Sequence, residues 1–498
     1  MKGRVSEDLS RADRPATHAR IVIIGTGFAG LGMAIRLRQE AIKDFIILER
    51  GPALGGVWRD NVYPGCACDV ESHLYSFSFA PNPTWSRAFS PQREIWDYLR
   101  DCADRFQLLP HVRFDHEVLR AAWDASSRRW NLQTSRGAFT AEALISAGGA
   151  LSDPLIPELP GLSSFTGEVM HSARWDSSLS LKGRSVAVIG TGASAIQLVP
   201  AIQPEVKALT LFQRTAPWIL PRGDRAISPR TRRLFRAVPF LQRLLRGLIY
   251  AKRELMVFGF RTPWLMRLAH GFAMRGLRKA VKDPTLRAKL TPRYALGCKR
   301  ILISDNFLPA VTKDNVHLVT SPIQEVRALS LLTADGVEHA VDTLIFGTGF
   351  RVTDLPLAKH IHGRDGRTLE AHWEGSPKAY LGTTIAGFPN FFLLSGPNTG
   401  LGHSSVLTMV EAQVEHTLRA LQFLDASGHA TLEPRLESQE EFVRHVDRKM
   451  RGTVWVTGGC SSWYLDKTGR NSTLWPTFIS GYRRRAGAFK PSEYHFNG

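Results

Sequence analysis

Cysteine is scarce in this sequence, and long apolar runs are missing. Five cysteines among 498 residues are few and odd in number. No disulfide framework is expected from them, and a reducing compartment fits. The cysteines and histidines fall into no zinc-ligand spacing, so no metal is expected. No stretch reaches the roughly 18 uninterrupted apolar residues of a membrane span. Met1 to Arg20 holds no apolar core of signal-peptide length, which points to a cytoplasmic protein. A Gly-x-Ser-x-Gly elbow is absent, so hydrolase chemistry is not indicated. Acidic residues are scarce in one place only. Residues 221–300 hold 21 Lys and Arg but 3 Asp and Glu, which accounts for nearly all of the chain's net charge of +19. A nucleic-acid binder that is basic throughout would spread that charge, so no nucleic acid is expected as a partner.

What is present is one architectural unit used twice. Residues 21–24 form a short buried-strand run, followed by Gly25-Thr26-Gly27-Phe28-Ala29-Gly30 and a helical pattern. Residues 186–189 form another, followed by Gly190-Thr191-Gly192-Ala193-Ser194-Ala195 and a second helical pattern. Each unit has a second strand, at 45–49 and 209–214. Each reaches a run of alternating strands, about 112–147 and 316–347, and ends in a strand running into glycines. The expected fold class is α/β, with two Rossmann-like dinucleotide-binding domains. A further strand at 391–395 precedes Gly396-Pro397-Asn398 and a helix at 406–424, with Ser404 and Ser405 as candidate caps. Residues 234–282 read as amphipathic helices rich in Arg. The first domain is therefore expected to be discontinuous, 1–150 plus 385–498. The second spans 151–384, with the basic helical insertion at about 221–300.

The glycines have a chemical use. Gly25, Gly27 and Gly30, like Gly190 and Gly192, permit a tight turn and close backbone approach to a pyrophosphate facing a helix N-terminus. The second strands then tell the two sites apart. Glu49 lies 24 residues after Gly25, and Arg214 lies 24 residues after Gly190. An acid there accepts hydrogen bonds from ribose hydroxyls and repels a 2′-phosphate, whereas an Arg pairs with one. The first site should hold a dinucleotide with a free ribose, FAD or NAD, and the second should hold NADP. Two such sites imply electron transfer between a nicotinamide and a second redox cofactor, for which FAD is the natural choice.

Gly55-Gly56-Val57-Trp58, then Tyr63-Pro64-Gly65, then Asp69 resembles the long fingerprint of the Baeyer–Villiger monooxygenases. Phe165-Thr166-Gly167, His171 and Trp175-Asp176 resemble that family's short fingerprint. Gln213-Arg214-Thr215, Gly297-Cys298-Lys299-Arg300, Gly396-Pro397-Asn398 and Ser462-Trp463-Tyr464 are further similar pieces, so the likeness spans about 20–480. Ala147-Gly148-Gly149 departs from the usual Ala-Thr-Gly of the first linker, while Gly347-Thr348-Gly349 keeps the Thr-Gly of the second. The resemblance implies an FAD-containing, NADPH- and O2-dependent enzyme that oxidises a ketone to an ester or lactone through a flavin C4a-peroxide. It puts Gly56, Trp58, Asp69 and Gln92 near the flavin, and Arg214, Thr215 and Lys299 on the 2′-phosphate. Arg300 becomes the active-site arginine, held by Asp69, and Trp463 closes over the nicotinamide nucleotide. His171 organises a linker.

The chemistry needs a fixed cation that does not surrender a proton, and Arg meets that condition where Lys need not. The alternative within the same enzyme class is N- or S-oxygenation, as in the flavin-containing monooxygenases. Those usually carry Tyr or Phe where this chain has Trp175. The apolar helices hint at a hydrophobic ketone. Two readings of these helices stand. Either their apolar faces pack on the nicotinamide domain beneath a solvated Arg surface, as the family's soluble members suggest, or they lie on anionic membranes. The charge excess predicts weak, salt-sensitive association with anionic lipid in both cases, and hence a protein cytoplasmic or peripheral to a membrane. No residue pattern reports the oligomeric state.

Overall fold

Ile21, Val22 and Ile23 are all fully buried, so the strand they form must be covered on both faces. The computed structural model describes residues 16–352 and 355–497, so the reading of Met1 to Arg20 falls largely outside the described residues. Strand β1 (Thr17–Ile24) leads through the first glycine loop into α1 (Phe28–Gln39) and β2 (Phe45–Leu48). Helix α2 (Gln92–Arg105) and strands β3 (Val112–Arg113), β4 (Val118–Asp124), β5 (Arg129–Thr134) and β6 (Gly137–Ser146) follow. The sheet order β6-β1-β2-β3 is parallel, and β4 and β5 extend it antiparallel beyond β6. β5 alternates exposed and buried residues, the pattern of a strand with one wet face.

The second sheet is parallel throughout. β7 (Glu168–His171) and β8 (Ser185–Ile189) precede α3 (Ala195–Ile202) and β9 (Ala208–Phe212). A short β10 (Ile219–Leu220) leads into the insertion, helices α4 (Pro229–Ala237), α5 (Pro239–Arg261) and α6 (Pro263–Ala280). β11 (Leu302–Ile303) pairs with β10 and closes it. β12 (Val316–Val319), the antiparallel trio β13 (Ile323–Arg327), β14 (Ser330–Thr333) and β15 (Glu338–Ala340), and β16 (Thr343–Phe346) complete the unit. The order is β12-β9-β8-β16-β7. The edge strand β7 comes from the segment carrying Phe165 and His171. The insertion is built of helices, as expected, and Pro239 and Pro263 open the second and third of them. Each proline sits at a first helical position, where its missing N–H costs nothing.

The chain then returns to the first sheet. β17 (Ile361–His362) pairs with β4, and β18 (Phe391–Leu393) pairs with the end of β6. Helix α7 (Leu407–Ser427) packs against α1 within the first core. α8 (Leu436–Met450), α9 (Ile479–Gly487) and the pair β19 (Thr431–Pro434) and β20 (Tyr494–Asn497) end the fold. Ser404 and Ser405 do not cap α7. The cap position is Val406, in helical conformation, and both serine hydroxyls are buried without a partner.

Candidate functional site

The two glycine loops are superposable in their constraints. Gly25 has φ +102°, and a Cβ there would meet the Ala147 carbonyl oxygen at 2.8 Å. Gly190 has φ +108°, and a Cβ there would meet the Gly347 carbonyl oxygen at 2.6 Å. In both, the loop is wedged against the glycine-bearing end of the neighbouring strand, so a side chain is excluded sterically as well as by backbone conformation. A Cβ on Gly27 would meet nothing within 4 Å, which leaves open space above the loop. Helices α1 and α3 both start without a side-chain cap, so their first N–H groups are available to an anion. These cradles fit dinucleotide pyrophosphates.

Glu49 is buried at the end of β2. It accepts from the Thr26 amide at 3.0 Å, the Thr26 hydroxyl at 2.5 Å and the Gly51 amide at 2.8 Å, and pairs with Arg59 at 2.9 Å. Arg214 and Thr215 are exposed at the corresponding place beyond β9. Thr191 of the second loop donates to the Thr215 carbonyl at 3.2 Å, which brings loop and strand end together. Burial pushes the Lys299 ammonium below its usual value, and the Arg214 charge adds to the depression, so the two cations lie close. Neither makes an ion pair among the described residues. Two neighbouring cations without an acid are the right receptor for a dianionic phosphate.

Between the loops lies the seam that the long fingerprint builds. Gly56 packs with its Cα side on Gly27, where a Cβ would sit 3.2 Å from the Gly27 Cα. The Trp58 indole donates to the Tyr75 hydroxyl at 3.0 Å, and the Gln92 amide donates to the Trp58 carbonyl. Tyr63 donates to Gln197 on α3 at 2.9 Å, and the Gln197 amide donates to the Ala67 carbonyl at 2.9 Å. Fingerprint residues of the first unit thus dock directly on the first helix of the second. Asp69 follows, partly buried, and accepts from Arg300 Nε at 2.8 Å and Nη2 at 2.6 Å through one carboxylate oxygen. Burial works to raise the Asp69 carboxyl, but the Arg300 charge and hydrogen bonds outweigh it and hold it below its usual value. In return Asp69 raises the Arg300 guanidinium against the cost of burial. Arg300 stays a cation under all ordinary conditions.

Cys66 and Cys68 flank this pair as free thiols, and burial pushes the Cys66 thiol up to about 12. Neither is poised for redox chemistry. His171 ends β7 and accepts from the Ala173 amide at 3.0 Å, and burial lowers its pKa. Trp175 packs on the core of the second unit. The linkers run side by side, where Leu155 donates to the Gly349 carbonyl at 2.9 Å and the Thr348 hydroxyl donates to the Leu155 carbonyl. Gly148 supplies no such hydroxyl from the first linker.

Cysteine requires a correction. Cys298 and Cys460 form a disulfide across a sequence separation of 162 residues, with Cα atoms 6.2 Å apart. Their partnership depends on the 458–464 loop folding over residues 295–300, where Ala295 donates to the Gly458 carbonyl at 3.0 Å. Sparse composition gave no sign of it. The bridge joins the segment bearing Lys299 and Arg300 to the loop bearing Trp463. Trp463 itself is 45% exposed, edge-on to the buried Tyr464 at 4.5 Å.

Several polar groups near this seam were not singled out from the sequence. The Tyr464 hydroxyl, both His403 ring nitrogens, the Ser404 and Ser405 hydroxyls and the Asn471 amide nitrogen are buried without partners. Asn398 donates to the Asn471 carbonyl at 2.8 Å, and Arg470 donates to Asn398 at 2.6 Å, so the 396–405 and 470–474 segments meet here. Orphaned polar atoms are costly unless something else supplies their partners. A flavin and a polar substrate group fit that requirement. Among the described residues, no three His, Cys, Asp or Glu gather as a metal site.

The model of the family described as pyridine nucleotide-disulphide oxidoreductase matches residues 22–242. The chain is similar to a Baeyer–Villiger monooxygenase of Streptomyces coelicolor, 53% identical over 96% of this chain and 92% of the relative. A crystal structure of cyclohexanone monooxygenase from Rhodococcus sp. Phi1 bound to NADP+ has a TM-score of 0.88 to it at 28% identity, covering 97% of this chain and all of that one. The structure of OTEMO in complex with FAD and NADP has a TM-score of 0.87 at 27% identity, covering 96% and 99%.

Proposed function

The chain belongs to the Baeyer–Villiger monooxygenase family, and on that premise we propose that Arg300, held by Asp69, is the group on which ketone oxygenation turns. The protein is an FAD-containing, NADPH- and O2-dependent monooxygenase that converts a ketone to an ester or lactone. Bound FAD supplies the redox chemistry, drawing electrons from NADPH and delivering them to oxygen. The chain's own residues do the rest. Gly25, Gly27, Gly30 and Gly56 let the backbone approach the first dinucleotide, and Glu49 receives its ribose hydroxyls. Trp58 and Gln92 line the flavin side. Gly190 and Gly192 do the same for NADPH, whose 2′-phosphate is held by Arg214, Thr215 and Lys299. Trp463 covers the nicotinamide nucleotide when it is bound.

The observation that carries the reading is the Asp69–Arg300 pair at the junction of the two units. Arg300 offers a permanent positive charge to oxyanions that develop as oxygen is inserted beside a carbonyl. One such placed donor is typically worth about 3 to 4 kcal/mol. Asp69 fixes its direction through two hydrogen bonds to one oxygen, which leaves the remaining guanidinium N–H groups for substrate. The division near residue 150 fits the sheet pairings, but we place the second boundary before β17 rather than near 384, because Ile361–His362 already pairs with β4 of the first sheet and Leu369, Trp373 and Ala379 share its core. Among the described residues no helix is long and apolar enough to cross a membrane, and the proposed location is cytoplasmic or peripheral to a membrane. A hydrophobic ketone is the proposed substrate. The test is turnover of a ketone panel with NADPH under isotopically labelled oxygen. One labelled oxygen in an ester or lactone supports the reading, and only sulfoxides or N-oxides from a mixed panel would overturn it.

A further inference from the structure

Helices α5 and α6 carry two faces of opposite use. Their inner residues Val257, Phe260, Met266, Ala273 and Leu277 are buried against the body of the protein. Their outer residues recur at four-, seven- and eight-residue spacing and are as apolar as the inner ones. Phe240, Leu248 and Leu255 on α5 are 66, 61 and 63% exposed, and Trp264, Leu268 and Phe272 on α6 are 61, 70 and 61% exposed. Single exposed apolar side chains are ordinary, but two helical stripes of them call for an occupant. Arg243, Lys252, Arg261, Arg267 and Arg275 stand exposed between and beside the stripes, and none makes an ion pair among the described residues.

We propose that the outer faces of α5 and α6 are a docking surface for an anionic lipid bilayer, on which the two helices lie flat with their apolar stripes at the level of the headgroups. The charge of the segment selects this occupant. A second copy related by a two-fold axis would set the net +18 of residues 221–300 against itself. A bilayer with anionic headgroups offers negative charge to the arginines and an apolar layer to Phe240, Leu248, Trp264, Leu268 and Phe272 at once. The surface is tied to the site. A Cβ on Gly297, three residues before Arg300, would meet Met266 Cε at 2.9 Å and Phe260 Cε1 at 3.0 Å. Phe260 also stacks on Trp455 at 5.0 Å. The helices that meet lipid outside therefore wall the Arg300 segment inside. Taking the Arg300 site as the ketone site, this brings it to ketones dissolved in a membrane.

The experiment is co-sedimentation of the purified holoenzyme with vesicles of phosphatidylcholine alone or mixed with phosphatidylglycerol, at low and high salt. Binding to the mixed vesicles at low salt, weakened by high salt, is expected. Leu248→Ser combined with Leu268→Ser should lower that binding by about tenfold or more, since both side chains leave water only on docking. Both are exposed and outside the catalytic machinery, so turnover of a water-soluble ketone without vesicles should be unchanged. That assay reads the enzymatic assignment separately. Protein that stays in the supernatant with the mixed vesicles at low salt overturns the proposal. So does binding indifferent to the double substitution. A dimer in light scattering that the same substitutions split, without vesicle binding, assigns the surface to a second copy instead.

Discussion

The two glycine loops are built alike and finished differently. At each, a positive-φ glycine is pressed against the end of a neighbouring strand, and an uncapped helix follows. At the first, the charged residue beyond the second strand is Glu49, buried and already engaged by Thr26, Gly51 and Arg59. At the second it is Arg214, exposed, close to a second cation and without an acid. On the proposed reading, the backbone sets that a dinucleotide binds, and the charge at one strand end sets which. The first site is pre-paired, as suits a cofactor kept in place. The second holds its repulsion until a phosphate arrives, as suits one that comes and goes.

The seam between the two loops should show the largest effect. Arg300→Ala is expected to lower ketone oxygenation by about 100- to 1000-fold while flavin reduction by NADPH survives at least in part. Stopped-flow reduction and product analysis separate these steps, and near-parent lactone formation would remove Arg300 from the chemistry. The pH limb has a defined sign. Asp69 is held below its usual value, so the pair persists above the ordinary carboxylate range and is lost only as pH falls through the depressed value. Replacing Arg300 should move that limb upward, because a buried carboxyl without its partner protonates more readily.

The contrast between the loops is tested most directly at Arg214. Arg214→Ala is expected to weaken NADPH binding by roughly 10- to 150-fold, equivalent to about 1.5 to 3 kcal/mol, and to leave NADH nearly untouched. Equal damage to both nucleotides would make Arg214 structural and dissolve the comparison. On the other side, Glu49→Gln should weaken FAD retention by about tenfold, read as the holoenzyme fraction after dialysis, through loss of charge-assisted bonds. Preference between NADPH and NADH should not change in that variant.

The smallest effect concerns Lys299. Its ammonium is depressed by burial and by Arg214, while a bound phosphate favours the charged form. NADPH affinity should therefore fall as pH rises through the depressed value, by a few-fold in calorimetric titrations, roughly one lost charge contact at most. Arg214→Ala should shift that decline to higher pH. The disulfide offers a chemical check on the same segment. Alkylation of the unfolded, unreduced chain should label three cysteines, Cys66, Cys68 and Cys102, leaving Cys298 and Cys460 blocked until a thiol reductant is added.

Local order made much of this legible. A strand, a tight glycine turn and the start of a helix are neighbours in sequence, so Gly25, Gly190, Glu49 and Arg214 could be read from spacing alone. Proline punctuation is equally local, and Pro239 and Pro263 open α5 and α6. The serines before α7 looked like caps on composition, and the backbone at Val406 entered the helix without them.

What the sequence by itself determined, then, is the doubled architecture and the opposite charges, Glu49 and Arg214, proposed to distinguish its two nucleotides, because each depends on residues close to one another in the chain. Tertiary structure decided the rest. It brought Asp69 to Arg300 across 231 residues and joined Cys298 to Cys460 across 162. It also chose which faces of α5 and α6 are spent on the core and which are left to water. Such pairings depend on how two sheets meet, and a side chain's periodicity carries no record of which partner lies opposite it.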